Sequence, residues 1–214
     1  MIVAGLDLAT KSGLAVIDGD RIVTTTWKAP KSGRLLGDAK DGSIDPIHSG
    51  QIGRAFEDFL RAWLVEHKVE HVAVEMPLRS NAQRTVTTVK DRGFAGQSVV
   101  KEKQALTTMS TIYRLYGLNF LALAVCARLN IPAELVNQSE WRKAFLGSGS
   151  PKDAKDAAVA QCRRLNIEIA SVDAAEAVGI AWWLRGHLVP AKFTKANDLF
   201  SLPPTTTESI ASAT

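Results

Sequence analysis

The chain has 214 residues, 46% of them hydrophobic and 22% charged, a composition that excludes a disordered or fibrous polymer and allows one sizeable core. A formal net charge of +4 is too small for a histone-like polycation, so any nucleic-acid contact must come from local clusters of bases. The two cysteines, Cys126 and Cys162, have no Cys-x-x-Cys spacing and fit a reducing compartment better than a disulfide framework.

No basic segment precedes the first apolar run, so no secretory signal is expected. The most apolar stretch, 118–129, is interrupted by Arg128 and is shorter than a bilayer span, which points to a buried helix and no membrane association. A cytoplasmic protein is the expectation.

In chain order, residues 2–8, 13–18 and 21–28 predict three consecutive strands, the last two joined at Asp18-Gly19-Asp20, an Asp-Gly hairpin signal. Together they form an antiparallel meander. Segment 29–46 is rich in Gly, Lys, Asp and Pro and predicts an irregular connection. Ile52, Phe56, Phe59, Leu60 and Trp63 recur at helical spacing, and that helix should end near His67. A fourth strand follows at 69–76, stopped by Pro77; 78–98 then predicts a long basic loop with Gly93 and Gly96 as hinges.

Segment 107–129 predicts one long apolar helix, broad enough to serve the core on one side and a partner subunit on the other. A fifth strand is expected at 131–136, a short helix capped by Ser139 through Phe145, and a helix from Pro151 to about Leu165. The last helix opens near 171–173 and runs to about Leu188. The domain is therefore placed at 1–190, with 191–214 a flexible tail whose distal Ser, Thr, Pro and Ala have no core-forming capacity.

Four carboxylates stand out in this frame. Asp7 lies where a buried strand should be apolar, Glu75 ends the apolar fourth strand, and Asp173 with Glu176 opens the last helix. A carboxylate beside a packed core costs several kcal/mol unless it is paired or coordinates a metal. Lys11 lies near the first acid, and no base stands immediately around Glu75 or Asp173. Hard cations such as Mg²⁺ need only a few protein oxygens, so the acids read as candidate catalytic and metal-binding residues at a cleft. His48, His67, His71 and His187 have no ligand-like spacing and read as structural.

Bases cluster in two stretches. Between 78 and 104 lie Arg79, Arg84, Lys90, Arg92, Lys101 and Lys103, with Phe94 between two glycine hinges as a candidate for stacking on an unpaired base. The second stretch holds Lys152 and Lys155, three apart near a helix start and candidates for clamping phosphate. With Lys11 these form the candidate DNA-binding set.

Three motifs carry a family resemblance. Gly5-Leu6-Asp7-Leu8-Ala9 resembles the Gly-Ile-Asp-Pro-Gly opening of RuvC Holliday-junction resolvases, Val74-Glu75 that family's strand-end glutamate, and Asp173 to Ala181 its Asp-Ala-Ala-Asp-Ala-Leu-Ala-Ile-Ala helix. Gly147-Ser148-Gly149-Ser150-Pro151-Lys152-Asp153-Ala154-Lys155 adds a weaker match, and the divergent phage branch is the nearer likeness. Glu176 stands where the family usually has Asp, and the segment after Glu75 shares little with its junction-gripping loop.

The resemblance implies an α/β ribonuclease H-like fold: a five-stranded mixed sheet with a three-strand meander, flanked by helices. It implies a homodimeric, metal-dependent endonuclease that resolves four-way junctions, and possible action on forks and flaps, by paired nicks leaving 5′-phosphate and 3′-hydroxyl ends. Asp7, Glu75, Asp173 and Glu176 would hold two Mg²⁺ ions about 4 Å apart, with Mn²⁺ able to substitute. The alternatives are a non-catalytic junction-binding module, which would have no use for all four acids, and a ribonuclease H-fold nuclease acting on RNA. A sugar-kinase relative would need a second phosphate loop and a longer, two-domain chain.

Overall fold

The computed structural model describes residues 1–30, 46–77, 83–91, 97–105 and 109–189. Its centre is a five-stranded mixed sheet. Strands β1 (Ile2–Asp7), β2 (Lys11–Asp18) and β3 (Arg21–Lys28) form the expected antiparallel meander. On the other side of β1 lie β4 (His71–Glu75) and β7 (Ala133–Val136), both parallel to it, giving the order β3-β2-β1-β4-β7. Gly19, in the left-handed region at φ 58°, makes the β2–β3 turn as the Asp-Gly signal required.

The strand alternation decides which face holds the chemistry. Successive side chains point to opposite faces. Ala4, Leu6, Leu14, Val16, Val72 and Val74 join a core with Phe56, Leu60 and Trp63 of α1 (Pro46–Glu66) and Leu118, Ala122 and Val125 of α2 (Met109–Arg128). Val3, Ala15, Ile17 and Ala73 join the opposite core with α3 (Gln138–Leu146), α4 (Ala154–Arg164) and α5 (Val172–Leu188). Asp7 follows Val3 and Gly5 in this alternation, and Glu75 follows Ala73. Both acids therefore sit on the α5 side.

Helix α5 packs against the sheet and under α3 and α4, and its turns are buried nearly all round. Small residues make this possible: Ala174, Ala175, Ala177, Gly179 and Ala181 are fully or nearly enclosed. Two strand glycines complete the close approach. A Cβ at Gly5 would run into the backbone of Ala177 and Ala181, and one at Gly13 into the carbonyl of Asp173. Ser171 caps α5 by accepting a hydrogen bond from Ala174 N at 3.1 Å, and Thr26 of β3 donates to the same Ser171 hydroxyl at 2.7 Å. Cys126 and Cys162 are buried in different cores on opposite faces of the sheet, and burial pushes both thiols up to about 11.

The expected long loop at 78–98 is corrected in part. Its middle and the residues after it form two antiparallel strands, β5 (Gln83–Asp91) and β6 (Gln97–Ala105), in a separate two-stranded sheet. The β-branched residues Thr85, Val86, Thr87, Thr88, Val89, Val99 and Val100 favour extended backbone, which outweighs the basic composition. Helix α1 begins earlier than the apolar spacing indicated, at Pro46, and α4 begins later than Pro151, at Ala154. The N-cap of α3 is Asn137, and Ser139 lies within the helix. The anticipated tail at 191–214 lies outside the described residues.

The contact between α5 and β2 yields a paired test. Gly13→Ala should lower stability by at least about 1–3 kcal/mol, as expected of an overpacked core. Gly50→Ala, in α1 with nothing within 4 Å of the added methyl, should raise it by about 0.4–1 kcal/mol. Urea titrations of the two variants read both signs.

Candidate active site

The carboxyl ends of β1 and β4 lie side by side, Leu6 being in register with Val74, so the next residues outward are Asp7 and Glu75. Ligands of open α/β sheets gather at this end of parallel strands. The N-terminus of α5 faces the same point. Its Asp173 and Glu176 are three apart and share one helix face, with Asp173 in the first turn, where the helix dipole favours negative charge. One ligand oxygen from each of Asp7, Asp173 and Glu176 lies within 4.8 Å of the others.

Glu75 stands beside this trio. Gln138 donates to its Oε1 at 2.5 Å and the indole N–H of Trp141 to its Oε2 at 3.0 Å. The cleft of about 240 Å³ is lined by all four acids together with Lys11, Arg142, Lys155, Leu115 and Asn119. Lys155 Nζ donates to Asp173 Oδ1 at 2.7 Å and lies 3.5 Å from Glu176 Oε2, Lys11 Nζ is 3.0 Å from Asp173 Oδ2, and Arg142 Nη2 is 3.5 Å from Glu176 Oε1. Lys11, expected beside Asp7, thus serves Asp173. The turn that places it is tied by Ser12, whose hydroxyl accepts from Ala9 N at 3.1 Å and donates to Ala9 O at 2.6 Å.

Asp7, Glu75 and Asp173 differ in proton affinity because their surroundings differ. Burial, then the charges of Glu75 and Glu176, push the Asp7 carboxyl well above the usual carboxylate range. Burial also raises Glu75, more than the donors from Gln138 and Trp141 lower it. For Asp173 burial works upward too, but the ammonium groups of Lys155 and Lys11 prevail and hold it below its ordinary value. The hydrogen bond to Asp173 raises Lys155 in turn.

These residues fit a hard divalent cation. All the clustered donors are carboxylate oxygens, and with every group ionised four acids against three bases among the described residues give the cleft one negative charge in excess. Buried Asn119 adds an acceptor: its amide nitrogen donates to Leu115 O at 3.0 Å, while its Oδ1 meets no donor among the described residues. Asp7, Asp173 and Glu176 would hold the ion, with Glu75 alongside.

Of the sequence-predicted DNA contacts, Lys11 and Lys155 stand in the cleft and Lys152 in the exposed turn before α4. Arg84 and Lys90 lie on β5, in register with Gln104 and Ser98, and Lys101 and Lys103 on β6, in register with Thr87 and Thr85. Arg79, Arg92 and Phe94 lie outside the described residues. No histidine lines the cleft; His187 stacks on Trp183 and pairs with Glu134 at 3.8 Å. Gln138, Trp141 and Asn119 were not anticipated from sequence.

A stability test follows from the raised carboxyls. A folded-state pKa above the unfolded one means the fold binds the proton more tightly, so this stability is present at low pH and is lost as pH climbs through the folded value. Asp7→Asn should therefore raise the melting temperature at neutral pH in chelator, each 1 kcal/mol being worth about 2–4 °C in a chain of this size. The gain should shrink on acidification, and added Mg²⁺ or Mn²⁺ should stabilise the variant less than the parent. Scanning calorimetry at several pH values, with and without the cation, measures all three.

No family model matches the sequence, and no curated protein matches it. Solved structures do. RuvC from Thermus thermophilus in complex with a Holliday junction substrate superposes with a TM-score of 0.57 at 15% identity, over 89% of this chain and 96% of that one. A second Thermus thermophilus RuvC structure gives 0.54 at 17% identity, over 91% and 97%. The chain, a mixed five-stranded sheet flanked by helices, thus has a ribonuclease H-like fold similar to that of RuvC.

Proposed function

We propose that the protein is a divalent-cation-dependent endonuclease of branched DNA, with four-way junctions as the principal substrate, acting as a homodimer in the cytoplasm. The observation that carries this reading is the convergence of Asp7, Asp173 and Glu176 within 4.8 Å beside Glu75. The fold likeness to a RuvC bound to a Holliday junction supports the choice of substrate. Two Mg²⁺ ions per site, replaceable by Mn²⁺, fit the four acids.

Bound there, the cations supply Lewis-acid polarisation of the phosphate and a water that is nucleophilic near neutral pH. The chain's own residues do the rest. Asp7, Asp173 and Glu176 provide oxygen ligands on rigid elements, two of them on one helix face. Water adds to phosphorus, the bond to the 3′ oxygen breaks and that oxygen gains a proton, leaving 5′-phosphate and 3′-hydroxyl ends. Lys155 and Lys11, paired with Asp173 in the free protein, are placed to meet the incoming phosphodiester at the cleft. Lys152 and the bases of the β5–β6 ribbon would extend the contact along the backbone. Phe94 is assigned to stacking at the branch point.

The dimer reading rests on α2. Tyr113, Tyr116 and Phe120 fall on one side of this helix, and Tyr113 and Phe120 are 63% and 69% exposed. Large aromatic rings so exposed are suited to an apolar seam. Two copies would present two clefts in matching geometry to a symmetric junction.

Cleavage of synthetic junctions, forks, flaps and duplexes in Mg²⁺ tests the activity. Asp7→Asn should abolish it while junction binding changes only a few-fold, because the basic surface is untouched. Full turnover by that variant would remove the metal-site assignment. Tyr113→Glu combined with Phe120→Glu should convert a dimer to a monomer in light scattering. A parent protein that is monomeric at micromolar concentration, with and without DNA, would end the dimer reading.

A further inference from the structure

Helix α3 starts two residues after β7, the strand next to β4, and this places its first turn over the end of β4. Gln138 and Trp141 are three apart, so they stack on the same helix face, and each donates to a different oxygen of Glu75, at 2.5 and 3.0 Å. Trp141 cannot readily move. It is wholly buried, and its ring lies so close to Gly179 of α5 that a Cβ there would meet Cε3 and Cζ3 at 2.7 and 2.8 Å.

Building on the proposed nuclease function, we infer that Gln138 and Trp141 are positioning residues that clamp Glu75 as the outlying carboxylate and so set its affinity for a cation. The donors' chemistry supports this. An Arg or Lys in either place would neutralise Glu75 and compete with a metal, as Lys155 does at Asp173. Neutral N–H donors fix orientation and leave the charge. A carboxylate has about four lone-pair positions, so two bonds leave acceptor capacity on both oxygens. Glu75 lines the cleft yet stands outside the trio formed by Asp7, Asp173 and Glu176. It is therefore held at the edge of the cleft, beside the trio. Arg142, the residue after Trp141, pairs with Glu176 at 3.5 Å and lies 5.3 Å from the Trp141 ring centroid. One turn of α3 thus braces acids from both β4 and α5.

The first measurement does not depend on activity. In ¹⁵N-labelled protein the five tryptophans give five indole N–H signals. Glu75→Gln should move one of them strongly, and that same signal should move on addition of Mg²⁺ to the parent. If all five stay in place in Glu75→Gln, the indole does not hold the carboxylate and the proposal fails.

Gln138→Met then tests function, since it removes one donor, keeps the length and leaves the buried ring untouched. Mn²⁺ binding by calorimetry should weaken on the order of 10-fold or more, as loss of an outer-shell partner typically does. The Mg²⁺ concentration for half-maximal cleavage should rise in parallel, with the rate at saturating Mg²⁺ falling less than in Glu75→Gln. Unchanged cation dependence in both assays overturns the clamp. Trp141→Phe should weaken binding in the same way if it folds, and its missing signal identifies the indole. A parent protein that cleaves no DNA would count against the nuclease reading alone, because the indole shift and the Mn²⁺ affinity would still decide the clamp.

Discussion

The arrangement depends on how closely α5 approaches the sheet. Glycine at positions 5 and 13 and alanine along α5 remove the side-chain layer that normally keeps a helix well off a sheet surface. Only this near contact lets short carboxylates from a strand and a helix share a few ångströms. A larger residue at either strand position would pry the two elements apart and move Asp173 away from Asp7. The small-residue pattern of this interface and the clustering of the acids are therefore one design constraint.

The same closeness creates an electrostatic problem. Four acids converge where water is partly excluded, and the protein offsets them differently at each end of the cleft. Two ammonium groups hold Asp173, a guanidinium reaches Glu176, and neutral N–H donors hold Glu75. Among the described residues Asp7 has no comparable donor at its carboxylate, and it is left with the raised affinity for a proton. It is the acid for which a cation would relieve the most.

Much of this was legible in the chain. In Val3-Ala4-Gly5-Leu6-Asp7 the strand period alone puts Asp7 on the face of Val3 and Gly5, and Val72-Ala73-Val74-Glu75 does the same for Glu75. The three-residue spacing of Asp173 and Glu176 specified a shared helix face. Contacts made across elements were not legible. Trp141 reads in sequence as core, and it is core; that its N–H also reaches Glu75 depends on the distance between α3 and the end of β4. Lys155 and Asp173 are brought together by the packing of α4 on α5, which no local pattern encodes. The ribbon was missed because the bases and glycines of 78–98 outweighed the β-branched runs that fix its backbone.

The position of α5 along the chain bears on how the protein is made. It is the last described element, yet it lies at the centre of the packing, and the Thr26–Ser171 bond that seats it joins residues 145 apart. Such contacts are slow to close and are concentrated in proteins of high contact order. During synthesis, β1 and β2 emerge with one face bare until the final helix is made, and that face carries Asp7. The cleft therefore cannot assemble on a partial chain, and the nascent polypeptide, which folds from its N-terminal end, carries an unfinished hydrophobic surface until α5 is made.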